Sequence, residues 1–363
     1  MIIERTHYFA KSGLADRVLQ IRRRASAVRR DIGLASGTIV TKAAGNSGDA
    51  PDVSWECRFH NAAAQEADLA ARTASPEFEA VRVEMKSAIT RFDRQVLIED
   101  DAPLANGMRA TDLEGVSLVP REVTFQSASR TLSGFLFLPP GPGAFPCMIC
   151  NHGSGIEQGS VDVSRPGTAA RLLSWGVACF LPHRHGYGRS PGPSWRSEVD
   201  AEFGSDAYDR QLLKRLDSES DDVIAALDKL ATMPEIDSKH IGVMGSSFGG
   251  TNTLFAASKD ARFVCAIDFA GAAMNWDRTP GLRVAMLAAA AKVRVPLLLI
   301  QAANDYSIRP TQEIAASLQG HRTPLQSKIF PAFGITPMEG HLLESTGALL
   351  WSAEMHRFLE RYL

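Results

Sequence analysis

The stretch Gly242-Val243-Met244-Gly245-Ser246-Ser247-Phe248-Gly249-Gly250 decides how this chain is read. Residues 240–244 are a short apolar run of the kind that is buried in a sheet. Residues 251–258 are small and apolar enough for a helix lying on that sheet. Between them, Gly245-x-Ser247-x-Gly249 fits a sharp strand–turn–helix elbow that lifts a serine hydroxyl to the top of an α/β sheet. A turn this tight crowds any Cβ beside the serine, which explains glycine at the flanking positions. The pattern is short, so its weight rests on the flanking strand and helix and on partners further along the chain.

Outward from the elbow, the pattern on both sides is one of alternating strands and helices. Residues 123–126 and 132–138 predict an antiparallel pair, closed by the turn cluster Pro139-Pro140-Gly141-Pro142-Gly143. Strands are then expected at 147–151 and 177–181, with helices near 168–175 and 218–231. After the elbow come strands at 263–269, 295–301 and 327–330, a helix near 311–318 and a last helix over about 349–363. An antiparallel start followed by repeated βα units predicts a mostly parallel sheet with helices on both faces, an α/β fold.

A serine hydroxyl needs a base, a group to hold that base, and donors for the developing oxyanion. In this architecture the partners follow the serine in the order acid, then histidine. Asp305 follows the strand Pro296-Leu297-Leu298-Leu299-Ile300-Gln301, and His341 lies in the loop after the last short strand. The expected roles are Ser247 as nucleophile, His341 as base and Asp305 as the residue that orients it. Ser246 is set aside because only the central position of the elbow projects. Asp268 is a weaker candidate for the acid, and His321 for the base. His183-x-His185 lacks a third ligand at metal spacing, so no metal is expected. The oxyanion donors are expected to be the Phe248 N–H and the Ser154 N–H, with Gly155 as alternative to the latter. His152, Gly153, Gly155 and Tyr187 are expected to line the substrate site beside them.

Five stretches in order carry a resemblance: His152-Gly153-Ser154-Gly155, Arg184-His185-Gly186-Tyr187-Gly188-Arg189-Ser190, Gly245–Gly250, Asn304-Asp305 and Gly340-His341. From about residue 118 onward the chain resembles the α/β-hydrolase superfamily, nearest its dienelactone-hydrolase and prolyl-oligopeptidase-like branches. The first stretch is similar to the HGGG-type oxyanion motif of esterases. In one respect the chain departs: typical dienelactone hydrolases carry cysteine at the nucleophile position, where this chain has Ser247. No stretch of the given sequence reads as the propeller of true prolyl oligopeptidases, so peptide hydrolysis of their kind is the less expected activity.

The first hundred residues read differently. Residues 2–9, 36–41, 53–59 and 94–99 have strand character. Leu14, Val18, Ile21, Ala25, Val28 and Ile32 recur at helical spacing, as do Phe78, Val81, Met85, Ile89 and Phe92. The order β-α-β-β-α-β is the ferredoxin-like unit. This stretch resembles the NIPSNAP-like dimeric α+β-barrel proteins, a resemblance that implies a homodimer. Arg22-Arg23-Arg24 with Arg29 and Arg30 lacks an aromatic RNA-binding strand and is expected to form a solvated or ion-paired face. His7 is expected to be structural. The charged, proline- and glycine-containing stretch 100–107 places the boundary, giving domains 1–105 and 106–363.

Composition narrows the function classes. The chain has 39 basic and 41 acidic residues, a net charge of -2 that gives no support for nucleic-acid binding. No apolar run approaches the roughly 18 residues of a membrane span. The N-terminal residues lack a signal-peptide pattern, and five scattered cysteines read as buried free thiols, so a reduced, cytoplasmic protein is expected. The expected activity is hydrolysis of a small-molecule carboxylic ester, with no cofactor. Amide or short-peptide hydrolysis and carbon–carbon bond cleavage on the same triad are the enzymatic alternatives. A ligand-binding or assembly protein on a hydrolase scaffold is the non-enzymatic one.

Overall fold

The computed structural model describes residues 2–43, 49–59, 62–98, 108, 110–159 and 164–363. The chain divides into two compact units, Met1–Ala102 and Pro103–Leu363. The expected linker at 100–107 lies outside the described residues.

In the first unit the elements are β1 (Ile2–Ala10), α1 (Ala15–Asp31), β2 (Thr38–Thr41), β3 (Val53–Phe59), α2 (Ala62–Ala74), α3 (Pro76–Ala88) and β4 (Ile89–Ile98). Their sheet order is β2-β3-β1-β4, antiparallel throughout, as a ferredoxin-like unit requires. The helical region before β4 is two helices, because Ser75 caps a new start, accepting from Phe78 N–H, and Pro76 takes the first helical position. The arginines of α1, expected to form a solvated or ion-paired face, divide between surface and interior. Arg23, Arg24 and Arg30 are exposed, whereas Arg22 and Arg29 are buried. They fall on the same helix face as Val18, Ile21 and Ala25, which packs on the sheet.

The second unit contains β5 (Arg121–Ser127), β6 (Arg130–Phe137), β7 (Phe145–Asn151), α4 (Pro166–Leu173), β8 (Ala178–His183), α5 (Trp195–Glu198), α6 (Asp206–Leu230), β9 (Ile236–Ser246) and α7 (Phe248–Lys259). It continues with β10 (Ala266–Phe269), α8 (Pro280–Lys292), β11 (Leu297–Ala302), α9 (Arg309–Ser317), β12 (Leu325–Phe330), α10 (Pro337–His341), α11 (Leu343–Thr346) and α12 (Ala348–Tyr362). The sheet order is β12-β11-β10-β9-β7-β8-β6-β5. Pairings of β6 with β5 and with β8 are antiparallel and the others are parallel. This is the α/β-hydrolase arrangement.

Each face of the sheet has its own apolar core. Ile241 and Val243 of β9 join one with α6, α7 and α8, while Met244 joins the other with α4 and α12. Helix α8 has no counterpart in the sequence reading. Its run of alanines offers little polar–apolar contrast, yet Leu282, Met286, Ala289 and Ala290 are buried. All five cysteines are buried and unbonded, and burial pushes the Cys265 thiol up to about 12. Among the described residues no helix is long and apolar enough to cross a membrane.

Candidate active site

Ser247 stands directly after β9 at the head of α7, with φ 60° and ψ −121°. A left-handed φ at a serine carries strain of about 1–3 kcal/mol, and such strain persists only where the surroundings fix it. Its N–H donates to Phe269 O at 2.9 Å, and its carbonyl accepts from Thr251 N–H at 3.1 Å. Close approach dictates the neighbouring glycines. A Cβ on Gly245 would lie 2.3 Å from Gly249 O, and one on Gly249 would lie 2.1 Å from Asn151 O. The hydroxyl is thus held half-buried at the carboxyl end of a central strand, where ligands of open α/β sheets bind.

Asp305 follows β11, two strands away from β9. Its Oδ1 accepts from Tyr306 N–H at 2.7 Å and stands 2.9 Å from His341 Nδ1. Its Oδ2 accepts from Gln301 Nε2 at 2.8 Å, and the same amide nitrogen donates to Ser307 O at 2.7 Å. A carboxylate oxygen placed this way calls for the proton on Nδ1, leaving Nε2 as the accepting nitrogen. Nε2 is buried and has no protein partner among the described residues. The segment that delivers His341 is pinned by Asn304. Its Nδ2 donates to Phe333 O and Thr336 O, both at 3.1 Å, and its Oδ1 accepts from Phe333 N–H at 2.8 Å. Thr336 and Glu339 then start α10 with a reciprocal capping box.

Gly153 of the loop after β7 is the point of approach to the serine: a Cβ there would sit 3.4 Å from Ser247 Cβ and 3.9 Å from its Oγ. Ser154 is half-buried, and its carbonyl accepts from Trp195 Nε1 at 3.2 Å. The Trp195 ring packs edge-on against Phe248, with centroids 5.1 Å apart. Gly155 is exposed. His152 is fully buried, its Nδ1 2.7 Å from Gly153 O, and burial with the nearby Arg184 charge holds its pKa well below the usual imidazole value. It therefore packs behind the loop that carries Gly153 and Ser154.

Tyr187 is a correction of the same kind. Expected to line the substrate site, it is fully buried, and its hydroxyl donates to Glu219 Oε1 at 3.0 Å. Glu219 is the centre of a polar cluster that the sequence did not reveal. It also accepts from Arg184 Nε at 2.8 Å, Arg215 Nε at 2.7 Å and Asn252 Nδ2 at 2.9 Å. Burial alone would raise its pKa, but the two guanidiniums outweigh that and hold it below the usual carboxylate range. The partners come from three separate stretches of chain, so no local pattern marks them. Trp276 and Met286 belong to the apolar core beside α6, α7 and α8.

His183 and His185 do not converge. His183 Nδ1 accepts from Arg189 N–H at 3.2 Å, while His185 Nδ1 lies 2.5 Å from Asp222 Oδ2.

Asp268, the weaker candidate for the acid, accepts from Gly271 N–H at 2.8 Å and is buried. Burial pushes its carboxyl up to about 7, the Gly271 bond only partly opposing. A raised carboxyl pKa means stability is lost as pH rises from the unfolded value near 4 to about 7, and stays lost above that. Asp268→Asn is therefore expected to be more stable than the parent at pH 8, by up to about 4 kcal/mol, and indistinguishable from it below pH 4. Urea midpoints at the two pH values check this; an equal difference at both would contradict it.

The sequence profile of the dienelactone hydrolase family matches residues 143–341, which are 199 of the 363 residues. The Quorum-quenching protein AidA of Acinetobacter baumannii is 28% identical over 155 residues, covering 43% of this chain and 45% of that protein. Dipeptidyl-peptidase 5 of Porphyromonas endodontalis is 23% identical over 218 residues, covering 52% of this chain and 29% of that protein. The chain thus spans less than half the length of either curated relative. Among solved structures, the Pyrococcus furiosus esterase PF2001 superposes with a TM-score of 0.50 at 17% identity, over 69% of this chain and 94% of that one. At that identity the likeness speaks to fold alone.

Proposed function

The chain belongs to the dienelactone hydrolase family, and on that footing we propose that it is a serine hydrolase cleaving a carboxylic ester through an acyl-enzyme. The observation that carries the reading is the His341 imidazole, tied to Asp305 through Nδ1 and unpartnered at Nε2. It reaches the rim of the sheet at which the strained Ser247 stands. Ser247 follows β9 and Asp305 follows β11, two strand spacings of about 4.8 Å apart, so the mechanism requires Nε2, which has no protein partner among the described residues, to engage Ser247 Oγ.

In this mechanism His341 Nε2 takes the Ser247 proton as Oγ attacks the ester carbonyl carbon. The N–H groups of Phe248 and Ser154 hold the resulting oxyanion. Collapse breaks the bond to the alkoxy oxygen, which leaves as an alcohol with the proton from His341. Water then attacks the acyl-enzyme, giving its proton to His341, and Ser247 is released with the carboxylic acid. Gly153 lets the substrate carbonyl approach the serine, and Asp305 stabilises the imidazolium.

A lactone is an ester, so the family's name favours ester chemistry. The resemblance to a dipeptidyl-peptidase keeps amide hydrolysis as the second reading. Matched p-nitrophenyl esters and p-nitroanilides of the same acyl group separate the two. We expect kcat/KM for the ester to exceed that for the anilide at least 100-fold, with a fluorophosphonate probe labelling Ser247. Comparable anilide turnover would move the assignment to amides, and an unlabelled Ser247 would move it to the non-catalytic reading.

A further inference from the structure

The first unit contains a cavity of about 250 Å3 between α1, α3 and the sheet. Its walls combine guanidiniums with apolar side chains, including Trp55, Phe78, Met85 and Phe92. Two of those guanidiniums, Arg22 and Arg29, lie over the same indole, their Cζ atoms 4.8 and 4.7 Å from the Trp55 ring centroid. They differ in one respect. Arg29 is ion-paired with Asp68 and donates from Nε to Ala35 O at 2.7 Å. Arg72 is likewise accounted for, with Glu4 oxygens at 2.9 and 3.0 Å.

Arg22 has no such partner. It is only 4% exposed, yet its two terminal nitrogens reach only the hydroxyls of Tyr8 and Ser26, both at 3.4 Å, and its Nε has no partner among the described residues. Around it, Arg22, Arg29, Arg72 and Arg94 face two carboxylates, Glu4 and Asp68. A buried cation without a carboxylate is strongly disfavoured, so such charges are almost always paired. Here the missing partner has somewhere to sit, because Arg22 lines the cavity.

We propose that this cavity binds a small aromatic monocarboxylic acid, its carboxylate on Arg22 and its ring against Trp55 and Met85. A carboxylate matches the guanidinium fork, and the apolar walls select against a bare hydrated ion. The volume lies below that of pockets for drug-sized ligands, which sets the size of the acid. Every residue that lines the cavity belongs to the first unit, whereas Ser247, Asp305 and His341 belong to the second.

The test is calorimetric titration of the full chain with benzoate and phenylacetate, alongside benzamide, acetate and inorganic phosphate. Of the chain's five tryptophans Trp55 lines the cavity, so an emission change on binding that disappears in Trp55→Phe reports occupancy. Saturable binding of at least one of the two aromatic acids is expected, weakened at least tenfold in Arg22→Met and less in Arg22→Lys. Arg22→Met removes an unpaired buried charge and is expected to melt no lower than the parent, so lost binding is separable from lost fold. If it does unfold, the comparison of benzoate with benzamide on the parent chain still decides. The proposal is overturned if neither acid saturates, if Arg22→Met binds the acids like the parent, or if benzamide, acetate or phosphate binds as tightly as benzoate.

Discussion

Replacing Ser247 with alanine is expected to reduce kcat for a p-nitrophenyl ester by about 10⁵-fold or more while leaving the fold intact. The change removes the nucleophile and nothing else: the Cβ remains, so the backbone at φ 60° feels the same constraint. Whatever residual rate persists would come from the oxyanion donors and from substrate binding. A companion change separates chemistry from strain. Ser247→Gly also loses the hydroxyl but relaxes the left-handed φ, so it is expected to be inactive and about 1 kcal/mol or more stabler than the alanine form. Steady-state kinetics with circular dichroism of both variants checks the pair. An alanine form retaining a tenth of the parental rate would sink the proposed mechanism.

The second large effect is structural. Glu219→Gln keeps the shape of the side chain but removes the carboxylate shared by Arg184, Arg215, Tyr187 and Asn252, leaving Arg215 its second carboxylate, Glu198. Arg184 and Glu219 are fully buried and Arg215 nearly so. Stripping the carboxylate leaves the buried Arg184 guanidinium uncompensated, and breaking a buried pair in this way costs about 3–5 kcal/mol. Urea unfolding followed by far-ultraviolet circular dichroism measures it. Adding Arg184→Met to the glutamine variant removes the stranded charge and is expected to recover part of the loss. A loss below about 1 kcal/mol in the single variant would show that the cluster is not a structural centre.

Legibility in the sequence followed the range of the interactions. The elbow was readable because its causes are local: glycines two residues from a serine, a strand before and a helix after. Asp305 and His341 were readable because each follows a strand, and chain order fixes which strand ends become neighbours. Glu219, by contrast, sits mid-helix in a charged stretch and gains its meaning only from Arg184, Tyr187 and Asn252, distant in the chain. Gln301 was passed over as the last residue of a strand, although it is what holds the second oxygen of Asp305. Tyr187 was misplaced because a tyrosine in a glycine-rich loop reads as surface, whereas the loop folds back over Glu219. The arginines of α1 carried a usable signal. Positions 18, 21, 22, 25 and 29 share one helical face, so Arg22 and Arg29 were bound to follow Val18, Ile21 and Ala25 inward.

Strand β9 supplies side chains alternately to the apolar layers on its two sides, Ile241 and Val243 to one and Met244 to the other. Anchored from above and below, it has no slack along which the elbow could recoil when a bulky acyl group arrives. On the proposed reading, accommodation of differently shaped esters would come from what surrounds the serine, the Trp195 contact and the Asn304-tethered segment carrying His341, with the Ser247 oxygen as the fixed point against which every substrate is measured.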